Sequence, residues 1–177
     1  MDTPKPTSLL VLLLLSLTVL YSGCVTTQIE SNKDPQYTHK MHKTLLVFNT
    51  TKETRDYFTQ LSANIRFKFP SHKVETKAFF NNPISLDPDK DLRDAIEQFQ
   101  PDALLVFNPR GGTISSSGWG IQTLVGLNLD LQIIIPGQKT PVWRASTAIS
   151  GSGDIEVGIE KTAKQIIKQL VKDGMME

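Results

Sequence analysis

The chain has one cysteine, Cys24, in 177 residues. An intrachain disulfide, a Cys-x-x-Cys redox pair and a thiolate metal cluster are all excluded, so stability has to come from packing alone. Charge of one sign is missing too. Nineteen Lys and Arg face eighteen Asp and Glu, a formal net charge of +1, and no strong field draws the chain to nucleic acid or an acidic polymer. Phosphate-loop patterns are absent: no G-x-G-x-x-G follows a strand-like run and no Gly-Lys-Ser/Thr occurs, which disfavours nucleotide binding. The G-x-S-x-G elbow of serine hydrolases is also absent, and Ser115, Ser116 and Ser117 have no histidine near them in sequence. Asp87 and Asp89 suit helix capping better than a glycosidase dyad. The chain therefore reads as a non-enzyme, with no catalytic residue, no metal site, no cofactor and no nucleic-acid partner expected.

What the chain does have begins with one long apolar run. Leu9 to Leu20 is broken only by Ser16 and Thr18, too short for the roughly 20 residues that span a bilayer, so it reads as the core of a signal peptide. Tyr21, Ser22 and Gly23 follow, and then Cys24. This arrangement resembles the lipobox of bacterial lipoproteins, although Tyr21 stands where that family prefers leucine and Leu20 lies one residue further back. The resemblance implies lipidation at Cys24, with fatty acyl chains such as palmitate, cleavage before it, and attachment to a membrane. A secretory signal followed by an incidental cysteine, or an uncleaved anchor, is the alternative. Two or more acyl chains give stable attachment where one holds only marginally. Val25 is not the aspartate that, in the lipoproteins of enteric bacteria, retains the product in the inner membrane, so the outer membrane, with the domain facing the periplasm, is the expected address.

Three segments are expected: a signal peptide over residues 1–23, a lipidated tether over residues 24–42, and an α/β domain over residues 43–177. The tether reading rests on VTTQIESNKDPQYTHKMH, which is polar, carries Pro35 and has no apolar period. His39 and His42 lie in it at a spacing that suits two metal ligands on a helical turn, but without a third ligand a solvated linker is the better reading.

Past residue 42, Thr44–Asn49 and Ala103–Asn108 are continuous apolar runs, the pattern of strands buried on both faces. They share the string LLVFN, at Leu45–Asn49 and Leu104–Asn108. The flanking residues do not repeat, so these read as two central strands in like environments. Thr50 to Glu53 reads as a capping box ahead of Tyr57, Phe58, Leu61 and Ile65 at helical spacing. His72–Phe80 alternates as an edge strand, and Asp87 or Asp89 caps a helix bearing Leu92, Ile96 and Phe99. Arg110–Gly120, with four glycines and three consecutive serines, reads as a loop. Val125–Ile135 and Val142–Ser150 form a hairpin, and Asp154 caps a last amphipathic helix. The expected fold is a three-layer α/β domain in the order β-α-β-α-β-β-β-α, with a five-stranded mixed sheet in the order 2-1-3-4-5. This element order is similar to the small envelope domains of LpoB-type activators of peptidoglycan synthases and of the TolB N-terminal domain.

In an open parallel sheet, ligands bind beyond the carboxyl ends of strands where the strand order reverses. That places Asn49 and Thr51 opposite Asn108, Arg110, Gly111 and Gly112, an arrangement able to receive an anion or a glycan carboxylate. Trp119, a large aromatic among glycines and serines, can anchor a partner or touch lipid headgroups, or else fold back on the hairpin. The expectation is a lipid-anchored binding or assembly module for another envelope protein. The alternative is a binder of a small anionic or glycan ligand at the crevice between the two LLVFN strands.

Overall fold

The computed structural model describes residues 25–116, 118–120 and 122–177. The signal-like run and Cys24 lie outside them. In chain order the elements are strand β1 (Val25–Lys33), strand β2 (Lys43–Phe48), helix α1 (Arg55–Lys68), strand β3 (Glu75–Phe80), helix α2 (Pro88–Phe99), strands β4 (Ala103–Ser116), β5 (Gln122–Ile134) and β6 (Trp143–Gly151), and helix α3 (Ile159–Lys172). Short 3-10 turns, Phe69–His72 and Ile155–Gly158, follow α1 and precede α3.

The two LLVFN strings pair residue for residue. β2 and β4 run parallel with Leu45 beside Leu104, Leu46 beside Leu105, Val47 beside Val106 and Phe48 beside Phe107. Side chains alternate between faces, so identical strings in register give each face matched partners. On one face Phe48 stacks on Phe107 at 4.4 Å between centroids and on Phe80 of β3 at 5.0 Å. Tyr57, Phe58, Leu61 and Ile65 of α1, with Ile159, Ala163, Ile166 and Leu170 of α3, close over that face in the main core. On the other face Leu45, Val47 and Leu104 lie under Leu92, Ala95, Ile96 and Phe99 of α2.

The sheet has six strands, not five, in the order β1-β6-β5-β4-β2-β3; the five expected strands keep their order of neighbours, and one strand is added at the β6 edge. The added strand is β1, built from the segment expected to be a tether. It pairs antiparallel with β6 from Val25 opposite Gly151 to Lys33 opposite Trp143. Its polar composition conceals a strand because one face is wet and the other is covered by only a few residues. Val25 is buried and Ile29 packs against the main core, while Thr26, Gln28, Glu30 and Asn32 are exposed. The rest of the expected tether is held as well, since Met41 is buried and its N–H donates to the carbonyl of Met175.

A polar knot locks β1 to the end of α3. Asp173 accepts from Ser31 Oγ of β1 at 2.6 Å, from Trp143 Nε1 of β6 at 2.7 Å and from Gln169 Nε2 at 3.1 Å. Lys33 Nζ donates to the Asp173 carbonyl at 3.1 Å. At the strand's start, Gly158 lies so close that an added Cβ would sit 2.4 Å from Val25 Cβ.

Three further expectations are corrected. The capping box at Thr50–Glu53 does not form: α1 starts at Arg55 with Thr54 at the N-cap position, and the Thr54 hydroxyl is occupied accepting from the Thr51 N–H at 3.0 Å. Arg110–Gly120 is not a loop throughout, because β4 continues to Ser116 and pairs with β5 as far as Gln122. The domain is three layers deep only over β2, β3 and β4; α2 stops there, leaving one face of β5, β6 and β1 to solvent.

Burial pushes the Asp173 carboxyl up, but the hydrogen bonds from Ser31, Trp143 and Gln169 outweigh it and hold the group below its ordinary value. A carboxyl depressed in the folded state contributes stability that is present above its unfolded pKa and is lost as pH falls through the folded value. Asp173→Asn is therefore expected to lower stability by about 1–2 kcal/mol at neutral pH, with the difference from wild type shrinking as pH falls below about 4, read from urea midpoints across pH. Gly158→Ala is expected to cost about 1–3 kcal/mol and to expose residues 25–33 to limited proteolysis.

Candidate functional site: a polar row across the uncovered face

Strand register carries one polar row across the whole sheet. Asn108 of β4 lies opposite Asp130 of β5, Asp130 opposite Ser146 of β6, and Ser146 opposite Glu30 of β1. Asn49 and Asn81, the residues following β2 and β3, extend the row: the Asn49 N–H donates to the Phe107 carbonyl and the Asn81 N–H to the Phe48 carbonyl. Side chains connect where backbones align. Asn81 Nδ2 donates to Asn49 Oδ1 at 3.3 Å, and Asn49 Nδ2 donates to Asn108 Oδ1. One step back along the strands the same face carries Phe79, Val47 and Val106 beneath α2. The row thus marks where the apolar cover ends.

Its charged centre is Asp130, whose side chain is 13% exposed. The Arg110 guanidinium contacts it directly and Arg144 stands 4.0 Å away. A register shift between Pro109 and Gly111 leaves Arg110 without a ladder partner, and such a bulge re-aims the extra residue's side chain. Here that side chain meets Asp130 rather than the turn after β2. Glu30, Asn32 and Ser146 complete a shallow hollow of about 350 Å³ with the two arginines and Asp130. Two guanidinium groups offset two carboxylates, so the hollow presents donors and acceptors without net charge, a surface for hydroxyls, amides and mixed polar groups rather than a polyanion.

The residues expected to form an anion cradle are only partly brought together. Asn49 and Asn108 do face each other, but Asn49 Nδ2 is committed to Asn108 Oδ1 and Asn49 Oδ1 to Asn81. Arg110 is drawn to Asp130. Thr51 is exposed in the turn before α1. Gly111 and Gly112 are strand residues, and an added Cβ at Gly112 would meet Leu124 Cδ1 at 3.1 Å, which makes it a packing glycine. Trp119 does not fold back on the hairpin; it is 93% exposed. His39 and His42 are exposed, with the His39 ring against Tyr37, and no group of three potential metal ligands gathers among the described residues. Cys24 lies outside the described residues. Sequence reasoning missed Glu30, Asp130 and Arg144 as neighbours of Arg110. The alternation of β5 puts Asp130 on the face opposite Leu129 and Leu131, but nothing local identifies β1 as the strand that brings Glu30 alongside.

No family model and no curated protein sequence matches the chain. Solved structures do. The PelC dodecamer from Paraburkholderia phytofirmans aligns with a TM-score of 0.54 at 12% identity, covering 80% of this chain and 96% of that one. A single-site variant of the same protein aligns at 0.53 and 11%, covering 78% and 94%. Lipoprotein GNA1162 from Neisseria meningitidis aligns at 0.43 and 9%, covering 73% and 99%. The PelC likeness establishes a shared fold. No described helix is long and apolar enough to cross a membrane.

Asn49→Ala is expected to lower stability by about 1–3 kcal/mol, because the partner groups of Asn81 and Asn108 both lose it. Asp130→Ala is expected to cost under about 1 kcal/mol, since both arginine heads are largely exposed. Urea denaturation of the two variants checks that order.

Proposed function

We propose that the chain is a bacterial envelope lipoprotein, acylated at Cys24 and held at the outer membrane, whose domain is a non-catalytic binding or assembly module in the periplasm. One observation carries the reading: an apolar run of signal-peptide length, Leu9–Leu20, is followed after Tyr21, Ser22 and Gly23 by the chain's single cysteine. The residue after that cysteine, Val25, is already part of the edge strand β1. The contact surface of the module is the uncovered face of β5, β6 and β1 with its polar row, supported by the β4–β5 hairpin. PelC, which shares the fold, is a dodecamer, so a second copy of this chain is the first partner to test, by light scattering of the purified protein. The competing reading, a small anionic or glycan ligand at the ends of β2 and β4, is weakened because Arg110, its intended cation, is paired with Asp130.

Mass spectrometry of the native protein is expected to show fatty acyl chains on Cys24. Cys24→Ser is expected to escape lipid modification and leave the membrane fraction in far greater proportion than wild type. A native protein carrying no fatty acid, with Cys24→Ser retained in washed envelopes as firmly as wild type, would falsify the anchor.

A further inference from the structure

The ends of the sheet are not alike. Among the described residues, seven large hydrophobic side chains are exposed: Phe67, Ile84, Leu86, Ile114, Trp119, Val157 and Val171. Five of them gather at one end. β2, β3 and β4 are parallel, and β6 runs in the same direction because β5 is antiparallel to both β4 and β6. All four strands therefore finish at the same end. The turn after β3 carries Ile84 and Leu86, the 3-10 turn after β6 carries Val157, and the hairpin that prolongs β4 and β5 carries Ile114 and Trp119. Phe67 and Val171, near the finishing ends of α1 and α3, lie at the opposite end.

The chain enters at this same apolar end. Val25 pairs with Gly151, the last residue of β6, and Gly158, next to Val157, packs directly against Val25. The hairpin reaches beyond its neighbours here, since Gln122–Leu124 pair with β4 alone while β6 pairs with β5 only from Gly126 onward. Three separate loops and the point of attachment thus share one surface.

We infer that this end is a bilayer-contacting face, with Trp119 at the headgroup level and Ile84, Leu86, Ile114 and Val157 beside it. Tryptophan favours the membrane interface because its ring is amphipathic, and apolar side chains gathered from three loops mark an interaction surface rather than scattered exposure. The bilayer is the occupant because the residue preceding Val25 is the proposed lipid site; the inference rests on that reading for the partner's identity. Charge does not drive the contact. Lys52 shares the cleft beneath the hairpin with Glu53, Asp56, Asp154 and Glu156, which favours neutral or zwitterionic headgroups over anionic ones.

The chain's two tryptophans make the test direct, since Trp119 is exposed and Trp143 is buried. The purified full chain is reconstituted in phosphatidylethanolamine-rich vesicles with brominated acyl chains. Its emission is expected to shift to the blue and be quenched by the bromines, with little change when salt is raised to about 0.5 M. Trp119→Phe is expected to remove most of that quenching. In a Cys24→Ser background, Leu86→Asp with Val157→Asp is expected to weaken vesicle partitioning about tenfold or more, with folding intact because both side chains point to water. Acylated, vesicle-held protein whose Trp119 is quenched only by aqueous acrylamide overturns the inference and leaves the anchor standing. A chain with no acyl group that still partitions through Trp119 does the reverse. Salt-sensitive binding, or shielding of Trp119 without lipid together with a rise in mass, also overturns it, the last by naming a second copy as the occupant.

Discussion

Everything else in this domain is positioned by the lateral match between two copies of one five-residue string. Because Leu45–Phe48 and Leu104–Phe107 align without offset, both faces of the central pair are apolar along the same rows, and both strands run out of apolar residues together. A slip of one residue would turn each strand's face over and set Phe48 against the smaller neighbours on α2's side. Register here is fixed by burial on two sides at once. The asparagines that close each string then meet side by side, and the polar row starts from that meeting.

From that centre the sheet changes character outward. Toward β3 it stays covered on both faces; toward β1 it loses α2 and becomes a two-layer structure with one wet side. The wet side is not featureless, because antiparallel register brings Asp130, Ser146 and Glu30 into line with Asn108, and the bulge at Arg110 adds a cation to the same row. An ordinary α/β crevice between strand ends is thereby converted into a stripe that crosses six strands. Its middle is buttressed by charge pairing and its inner end by amide-to-amide bonds.

How much of this the sequence disclosed follows from how local each cause is. The two buried runs, the long alternation before Pro136 and the stripe of the last helix announce themselves within a dozen residues, because their environment dictates their own composition. β1 does not. VTTQIESNK has only Val25 and Ile29 as apolar contributions, and it becomes a strand through the exposed edge of β6 and through Asp173, which lies 142 residues beyond its partner Ser31. The prolonged hairpin was hidden for a similar reason: Gly111, Gly112 and the serines look like a loop until β5 supplies the partner that Gly112 fits against. Arg110 was expected as the cation of the strand-end crevice, but its aim depends on a bulge, and a bulge is a disagreement in count between two strands that neither one shows alone. Trp119 stood out by composition, and its exposure is visible only in the folded chain.

The absence of slack at the start of β1 has a mechanical consequence. Val25 is buried, sits in a nine-residue ladder, and gives its carbonyl to Lys161 Nζ at 2.7 Å. A pull applied at Val25 is therefore passed straight to β6 and α3 together rather than being taken up by the strand alone.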